Sequence, residues 1–168
     1  LSFVHNALVG IGVRDQIRIG AAGKIITAFD IIRVLALGAD WCNSARGFMF
    51  AVGCIQSQSC HTDRCPTGVA TQDPTRQRAL VVPDKIERVA NFHRATLHEL
   101  AELTAAAGLD HPNDFKPMHI SRRVSASEVA SFADLYPPLA KGELVAGTGN
   151  LRWRLPWATV RCALGPRD

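Results

Sequence analysis

The first twenty residues predict a helix followed by a strand. Apolar residues recur three and four positions apart between Phe3 and Leu8, the period of a helix with one buried face, and Gly10 ends this pattern. Residues 16–20 then form a short β-branched run that ends in glycine. The apolar spacing therefore changes from a helical pattern to a strand-like one within this segment.

A second helix and a second strand follow directly. Thr27, with Asp30 three residues later, is a capping-box signature. The helix that follows has one apolar face and ends at Gly38. Residues 39–42 have the composition of a second strand, and the apolar run over 48–52 predicts a short helix. Since strand, helix and strand follow one another within about thirty residues, they predict a parallel βα unit of the α/β class.

The longest predicted helix lies between residues 84 and 107. Pro83 and Asp84 open it, and Gly108 ends it. We interpret His93 as a hydrogen-bonded core histidine rather than a ligand. The stripe expected to be buried consists of Ile86, Val89, Ala90, His93, Leu97, Leu100 and Leu103 or Thr104.

A short helical segment is predicted after the long helix. Residues 111–114 begin a turn of helix, and Ser125 with Glu128 three residues later predicts a capped helix. That helix should finish before Pro137, because proline cannot continue it.

These patterns divide the chain into three parts. The first is a domain over 1–108, the second a short helical extension over 109–140, and the third an irregular tail over 141–168. The tail has no clear periodicity, and Cys162 within it is interpreted as an isolated thiol.

Composition narrows the class of protein. The chain has 168 residues, of which 47% are apolar and 20% charged, which is typical of a globular domain with its own core. The formal net charge is +4, but lysine and arginine are spread along the chain without a run. This distribution disfavours nucleic-acid binding and suits small anionic ligands better.

No apolar window reaches the length of a membrane span, which is about 18 uninterrupted residues. His5 and Asn6 interrupt the N-terminal apolar residues before a signal peptide can form. We therefore expect a soluble, cytoplasmic protein. The chain starts at Leu1, inside a helical pattern and without an initiator methionine, so we expect it to be a fragment, and whether a preceding part carries a membrane anchor stays open.

Three of the five cysteines, Cys54, Cys60 and Cys65, lie within twelve residues. Thiolates bind soft metals and iron–sulfur clusters, and Pro66 fixes the direction in which the chain leaves the last cysteine. The spacing is neither that of a ferredoxin nor a C-x2-C zinc pattern. Three cysteines without a nearby fourth favour a 3Fe-4S cluster. A Cys3His zinc site that includes His61, and reduced thiols that only pack, stay open as alternatives.

Two loops that follow the predicted strands have the composition of an anion site. In the first, residues 21–24, Gly23 allows backbone N–H groups to approach a phosphate and Lys24 supplies charge. In the second, residues 43–47, small residues and an arginine precede a helix. Together the loops predict a flavin phosphate site, with candidate residues Gly23, Lys24, Asn43, Ala45, Arg46 and Gly47.

The cysteine loop, residues 54–72, carries a resemblance to a known family. The matching residues are Gly38-Ala39-Asp40, Gly53-Cys54 and Cys60-His61-x-x-x-Cys65-Pro66-x-Gly68-Val69-Ala70-Thr71-Gln72-Asp73-Pro74. They resemble the end of the FMN-binding domain of glutamate synthase, in particular the shorter proteins of the FMN-binding glutamate synthase family. The resemblance extends over about residues 1–135.

This resemblance implies a fold and a cofactor set. The fold is the C-terminal portion of a (β/α)8 TIM barrel, with strands 7 and 8 at residues 16–20 and 39–42 and the closing helix at 84–107. The implied cofactors are FMN, held at the two phosphate loops, and a 3Fe-4S cluster whose ligands match Cys54, Cys60 and Cys65. Ala22 stands where the family has an acidic residue, and Lys24 replaces a second glycine.

The resemblance also implies an activity. Electrons pass through the cluster to FMN, and reduced flavin converts 2-iminoglutarate, formed from 2-oxoglutarate and nitrogen from glutamine or ammonia, to L-glutamate. The implied electron donor is ferredoxin or an NAD(P)H-linked reductase. No catalytic residue is assigned within this chain, so the fragment alone is expected to be inactive. The alternatives are a zinc-stabilised structural module and an FMN barrel oxidoreductase that acts on another substrate.

Overall fold

The computed structural model describes residues 1–147 and shows a mixed α/β architecture. Short 3-10 turns at 14–16, 60–62, 112–114 and 117–119 connect the main elements. In chain order these elements are α1 (Ser2–Gly10), β1 (Gly20–Ala22), α2 (Ala28–Ala36), β2 (Trp41–Asn43), α3 (Arg46–Val52), α4 (Pro74–Gln77), α5 (Val82–Ala106), β3 (Ser121–Arg123), β4 (Val129–Ser131) and α6 (Phe132–Leu135).

Strands β1 and β2 are parallel, and α2 connects them, which confirms the predicted βα unit. A Cβ atom on Gly20 would lie 2.7 Å from the indole ring of Trp41, so glycine is what allows the ring to cross the neighbouring strand. The register pairs Gly20 with Trp41, Ala21 with Cys42 and Ala22 with Asn43.

Both strands begin later than the apolar pattern predicted. The predicted strand over 16–20 is replaced by a 3-10 turn at Arg14–Gln16 and an extended segment, and pairing begins only at Gly20. The reason is local: the backbone N–H of Ile19 donates to the Asp40 carboxylate at 2.6 Å, and the Asp40 N–H donates to the Ile19 carbonyl at 2.8 Å. The β-branched residues therefore form the entry to the strand rather than the strand.

Asp40 joins the start of both strands to α1. Its carboxylate pairs with Arg14 at 2.9 Å and with the more exposed Arg18 at 3.2 Å. Arg14 also donates to the Gly38 carbonyl at 3.0 Å and to Nδ1 of His5 at 3.0 Å. Partial burial alone would raise the pKa of Asp40, but the bonds from Ile19, Arg18 and Arg14 hold it below its usual value. Burial and the Arg14 charge lower the pKa of His5, which therefore accepts as a neutral ring.

Helix α2 lies at the centre of the core. The predicted capping box is present: the Thr27 hydroxyl accepts from the Asp30 N–H, and the Asp30 carboxylate accepts from the Thr27 N–H. One side of α2 packs Leu35 against Ala21 and Ala39 beside the strands. On the other side, Ile32 and Ala36 of α2 pack in one cluster with Phe115, Ile120 and Phe132 from the C-terminal segment.

Helix α5 has the predicted length, but its apolar stripe is largely bare. Of its residues only Thr104 is buried, whereas Ile86 is 65% exposed and Leu97 49% exposed. The helix contacts α2, α3 and the 3-10 turn at 112–114, and much of the rest of its surface is exposed within residues 1–147. The prediction that His93 is a core histidine is wrong: its ring is exposed and lies 5.9 Å from that of Phe48.

The segment after α5 contains a β-hairpin where the sequence predicted a capped helix. Strands β3 and β4 pair antiparallel, and Ser125 and Glu128 lie in the turn, where the Ser125 N–H donates to the Glu128 carbonyl at 3.4 Å. A capping box does occur, but at Ser131 and Asp134, where it opens α6. The extension is therefore not purely helical. Both serine patterns had the spacing of a cap, and strand pairing excluded the first from a helix.

The beginning of the predicted tail packs against α1. The Gly142 N–H donates to the Val9 carbonyl at 3.0 Å, and the Leu144 N–H donates to the Gly10 carbonyl at 2.9 Å. Gly10 leaves room for the Leu144 side chain, since an added Cβ would lie 2.6 Å from it. Residues 141–147 are thus held in place, whereas the prediction for the rest of the tail, including Cys162, falls outside the described residues.

None of the helices within residues 1–147 combines the length and the apolar character needed to cross a bilayer.

Replacing Asp40 should destabilise the fold in a pH-dependent way. We expect Asp40→Asn to lower the free energy of unfolding by about 1.5–3 kcal/mol near neutral pH, because Arg14 loses a charged hydrogen-bond partner. A lowered pKa means that this stabilisation is present above the usual value of 3.8 and is lost as the pH falls through the folded-state pKa.

Urea unfolding curves between pH 7 and pH 3 would measure this effect. The difference between wild type and Asp40→Asn should shrink below about pH 4, and the exposed Asp110→Asn should serve as a neutral control. If the difference in unfolding free energy between wild type and Asp40→Asn stays constant from pH 7 to pH 3, the stabilisation does not come from the charge of the Asp40 carboxylate.

Candidate cofactor face and cysteine loop

The two predicted phosphate loops leave the sheet side by side. The parallel register places Ala22 opposite Asn43, so the chain exits both strands at the same edge. Ser44 then ties the loops together, because its hydroxyl donates to the Ile25 carbonyl at 2.8 Å. Sequence reasoning did not identify Ser44, although a serine directly after a strand is a recognisable signal for such a bond.

The first loop turns through two consecutive residues with left-handed backbone. Gly23 has φ of 105° and Lys24 has φ of 56°. Nothing lies within 4 Å of an added Cβ on Gly23, so the backbone there is open to close approach by a ligand. Lys24 is exposed at the same turn and holds a positive charge beside this opening.

The second loop divides into exposed and buried members. Asn43, Ala45 and Arg46 are exposed, whereas Gly47 is buried. An added Cβ on Gly47 would lie 2.7 Å from the Phe92 ring and 2.9 Å from the Ser44 hydroxyl. Gly47 therefore allows α3 to pack against α5, and this packing explains the glycine without a ligand.

Helix α3 fixes the start of the cysteine loop. Phe48 packs edge-to-face on Phe92 with ring centroids 5.2 Å apart, which anchors α3 to α5. Gly53 ends the helix in left-handed conformation with φ of 113°, and the Cys54 N–H donates to the Met49 carbonyl at 3.0 Å. The first cysteine of the loop is thus held one residue beyond a well-capped helix end.

Cys65 is the most constrained of the three loop cysteines. It is buried, and its sulfur accepts hydrogen bonds from the Thr67 hydroxyl and from the backbone N–H groups of Ala70, Thr67 and Val69. These donors lower the pKa of the Cys65 thiol to about 7, with the Thr67 hydroxyl as the largest cause. Because the thiolate is the form that binds metals, these donors favour the metal-binding form of the Cys65 side chain.

The other two cysteines are less enclosed. Cys54 is half-buried and lines a cavity of about 440 Å³, together with Pro66 and Thr67 from the turn after Cys65. Cys60 is exposed on the 3-10 turn at 60–62. All three are free thiols. At this cavity Cys54 therefore lies next to Pro66 and Thr67, the two residues that directly follow Cys65.

Two cations from α5 face the same cavity. Lys85 and Arg88 line it, and the ammonium group of Lys85 would lie 3.7 Å from a Cβ added to Gly53. Sequence reasoning missed both residues. Their spacing of three along a helix places them on one face, but the sequence does not show which face meets the cysteine loop.

The donor geometry shows no assembled metal site. Among residues 1–147 there is no group of three or more Cys, His, Asp or Glu side chains placed to hold a metal ion. Cys54, Cys60, Cys65 and His61 therefore do not form the four-donor arrangement of a Cys3His zinc site, and the three thiols are not gathered as cluster ligands either. Zinc and the 3Fe-4S cluster both stay predictions.

Similarity to known proteins assigns the chain to a family. Residues 1–110 match the family model described as the conserved region in glutamate synthase. The chain belongs to the glutamate synthase family. This confirms the resemblance inferred from the cysteine loop.

Several glutamate synthases are similar to this family member. A protein of Bacillus subtilis (strain 168), described as glutamate synthase large subunit-like protein YerD, is 43% identical over 135 residues, which are 80% of this chain. The archaeal glutamate synthase (NADPH) of Methanocaldococcus jannaschii is 38% identical over 99 residues, 59% of this chain. The ferredoxin-dependent glutamate synthase of Pyropia yezoensis is 35% identical over 115 residues, 68% of this chain.

The chain spans only part of each relative's length. The matched residues are 26% of YerD, 19% of the M. jannaschii enzyme and 7% of the P. yezoensis enzyme. The family is thus established for this chain, while the activity of the relatives belongs to much longer proteins.

Substitution of Gly47 should reveal its packing role. We expect Gly47→Ala to lower the free energy of unfolding by about 1–3 kcal/mol, because the new methyl group overlaps the Phe92 ring. A double-mutant cycle with Phe92→Leu, measured by thermal unfolding, should recover part of this loss, since the smaller side chain makes room. Strict additivity of the two substitutions would show that the glycine is not constrained by Phe92.

Proposed function

We propose that this chain provides the flavin phosphate loops and the cluster ligands of a glutamate-synthase-type oxidoreductase. The observation that carries the proposal is Cys65, a buried thiol surrounded by N–H donors in a loop whose chain matches the glutamate synthase family. Two adjoining loops at the end of a parallel strand pair support it, because phosphate sites in α/β folds form where strands end.

FMN is the proposed ligand of the strand edge. Gly23 and Lys24 would present backbone and charge from the first loop, and Asn43, Ala45 and Arg46 from the second. The open surface at Gly23 fits a phosphate group, which needs close approach to the backbone. Gly47 belongs to this loop, but it would contribute by holding α3 in place.

A 3Fe-4S cluster is the proposed occupant of the cysteine loop, with Cys54, Cys60 and Cys65 as ligands. The donor chemistry fits, since three free thiols lie on one loop and one of them is stabilised as a thiolate. When bound, the cluster and FMN would supply electron transfer and hydride chemistry. The chain's own residues provide sulfur ligands, N–H donors to Cys65, and the cations Lys24 and Arg46 beside the flavin phosphate.

The proposed fold of the intact protein is a (β/α)8 barrel in which β1 and β2 are two adjacent strands. Within residues 1–147, each of these strands pairs only with the other. Parallel sheets are nearly always larger and covered on both faces, so each strand is expected to have a further neighbour. The bare side of α5 agrees with this, because helices of a barrel pack on both flanks.

The proposed reaction is the reduction of 2-iminoglutarate, formed from 2-oxoglutarate and ammonia or glutamine nitrogen, to L-glutamate. Ferredoxin or an NAD(P)H-linked reductase is proposed as the electron donor, and the names of the P. yezoensis and M. jannaschii relatives mention ferredoxin and NADPH respectively. Glutamate formation from 2-oxoglutarate by the intact protein would support this substrate. Flavin reduction without glutamate formation would favour a barrel oxidoreductase with another substrate.

The cluster proposal can be tested by metal analysis. The intact protein, purified without oxygen, should contain about three irons per chain, as a 3Fe-4S cluster requires, and Cys60→Ser should lose most of them because a ligand is removed. Cys42→Ser is the matched control: Cys42 lies in β2, outside the loop, so this variant should keep its iron. Zinc in a colourless protein would overturn the cluster assignment.

The flavin site can be tested separately through its charges. Lys24→Ala and Arg46→Ala should each weaken FMN binding about tenfold, equivalent to about 1.4 kcal/mol, by removing a cation from the phosphate. Arg122→Ala, an exposed cation in the β3–β4 hairpin, should leave the dissociation constant unchanged. Fluorescence titration of the flavin-free protein would measure all three, and equal affinity in every variant would place the phosphate elsewhere.

A further inference from the structure

The segment that follows Asp63 closes back on that residue. The backbone N–H of Gln72 donates to the Asp63 carboxylate at 2.5 Å, across nine residues of chain. The hydroxyl of Thr71 donates to the Asp63 backbone carbonyl at 2.6 Å and accepts from the Asp73 N–H at 3.1 Å. Thr71 is only 8% exposed, whereas the hydrogen bond between Gln72 and the Asp63 carboxylate lies at the surface.

The same segment is fixed to α4 on its other side. The Gln77 side chain donates to the Thr71 carbonyl at 2.9 Å. Gly68, with φ of 76°, lies so close to α4 that an added Cβ would be 2.5 Å from the Arg76 carbonyl oxygen. The chain between residues 63 and 72 therefore forms a ring closed at its ends by Asp63 and braced along its length by α4.

The N–H groups that surround Cys65 all belong to this closed ring. Thr67, Val69 and Ala70 can direct their N–H groups at one sulfur only if the intervening backbone has a fixed curvature. Asp63 lies two residues before Cys65 and receives the chain directly after Ala70, through Thr71 and Gln72. Asp63 thus holds together the two ends of the segment that surrounds Cys65.

Asp63 combines two properties at this position. Its backbone is left-handed, with φ of 60°, which asparagine, aspartate and glycine tolerate best. Its carboxylate supplies the acceptor for Gln72. Glycine would keep the first property and lose the second, whereas asparagine would keep both.

We propose that Asp63 is a positioning residue, which closes the 63–72 segment and thereby aims its N–H groups at the sulfur of Cys65. It acts through the backbone and does not ligate metal. The proposal deepens the proposed function, on which it rests for the identity of the bound cluster. N–H donors to a ligand sulfur stabilise the more negative, reduced state of a cluster, so Asp63 would also raise the reduction potential.

The test compares Asp63→Gly, Asp63→Asn and the control Asp110→Gly in the intact protein. In protein stripped of metal by a chelator, hydrogen exchange of the peptide that contains residues 66–72 reports closure of the segment directly. Asp63→Gly should exchange there at least tenfold faster than wild type, and Asp63→Asn and Asp110→Gly should match wild type. Wild-type exchange in Asp63→Gly would overturn the proposal.

In the iron-loaded protein the readout is the cluster's reduction potential, followed by electron paramagnetic resonance. Asp63→Gly should make the reduction potential more negative by up to about 59 mV, which corresponds to a tenfold change in the one-electron equilibrium constant. Asp63→Asn should have the wild-type potential. An unchanged potential would overturn the link to the sulfur. Absence of iron from wild-type protein would instead overturn the proposed function, while hydrogen exchange would still decide whether Asp63 positions the segment.

Discussion

The carboxylate of Asp40 is the contact on which the arrangement of this chain depends. It receives the N–H of Ile19 before β1, lies at the start of β2, and is paired with Arg14 from the segment after α1. One side chain thus aligns the starts of the two strands and attaches the first helix to them. Because the strands start together, they also end together, and the two candidate phosphate loops leave the sheet at one edge.

Local signals in the sequence predicted the elements that local chemistry determines. The capping box at Thr27 and Asp30, the end of α2 at Gly38, and the parallel pair joined by α2 were all identified. Each depends on residues close together in the chain, so spacing alone was sufficient. The cysteine loop was equally visible because its motif is contiguous, and the motif by itself was specific enough to indicate the family.

Predictions failed where distant residues decide the outcome. Ser125 and Glu128 had the spacing of a helix cap, yet pairing between β3 and β4 placed them in a hairpin turn. His93 lay on an apolar stripe, yet within residues 1–147 its side chain stays exposed beside the Phe48 ring of α3. Gly47 stays a predicted cofactor contact, and the position of Phe92 adds a packing reason for this glycine that the sequence does not show. In each case the sequence shows the residues themselves, but it does not show which distant residues contact them in the fold.

Within residues 1–147, one flank of α5 is bare and each strand of the β1–β2 pair has an unpaired edge, and these surfaces have a practical consequence. Exposed apolar side chains such as Ile86 and Val82, next to unpaired strand edges, are the surfaces through which polypeptides self-associate. Recombinant protein of these 168 residues would therefore be prone to precipitation in the expression host. Covering this helix flank and pairing the strand edges would be the rational way to keep it in solution.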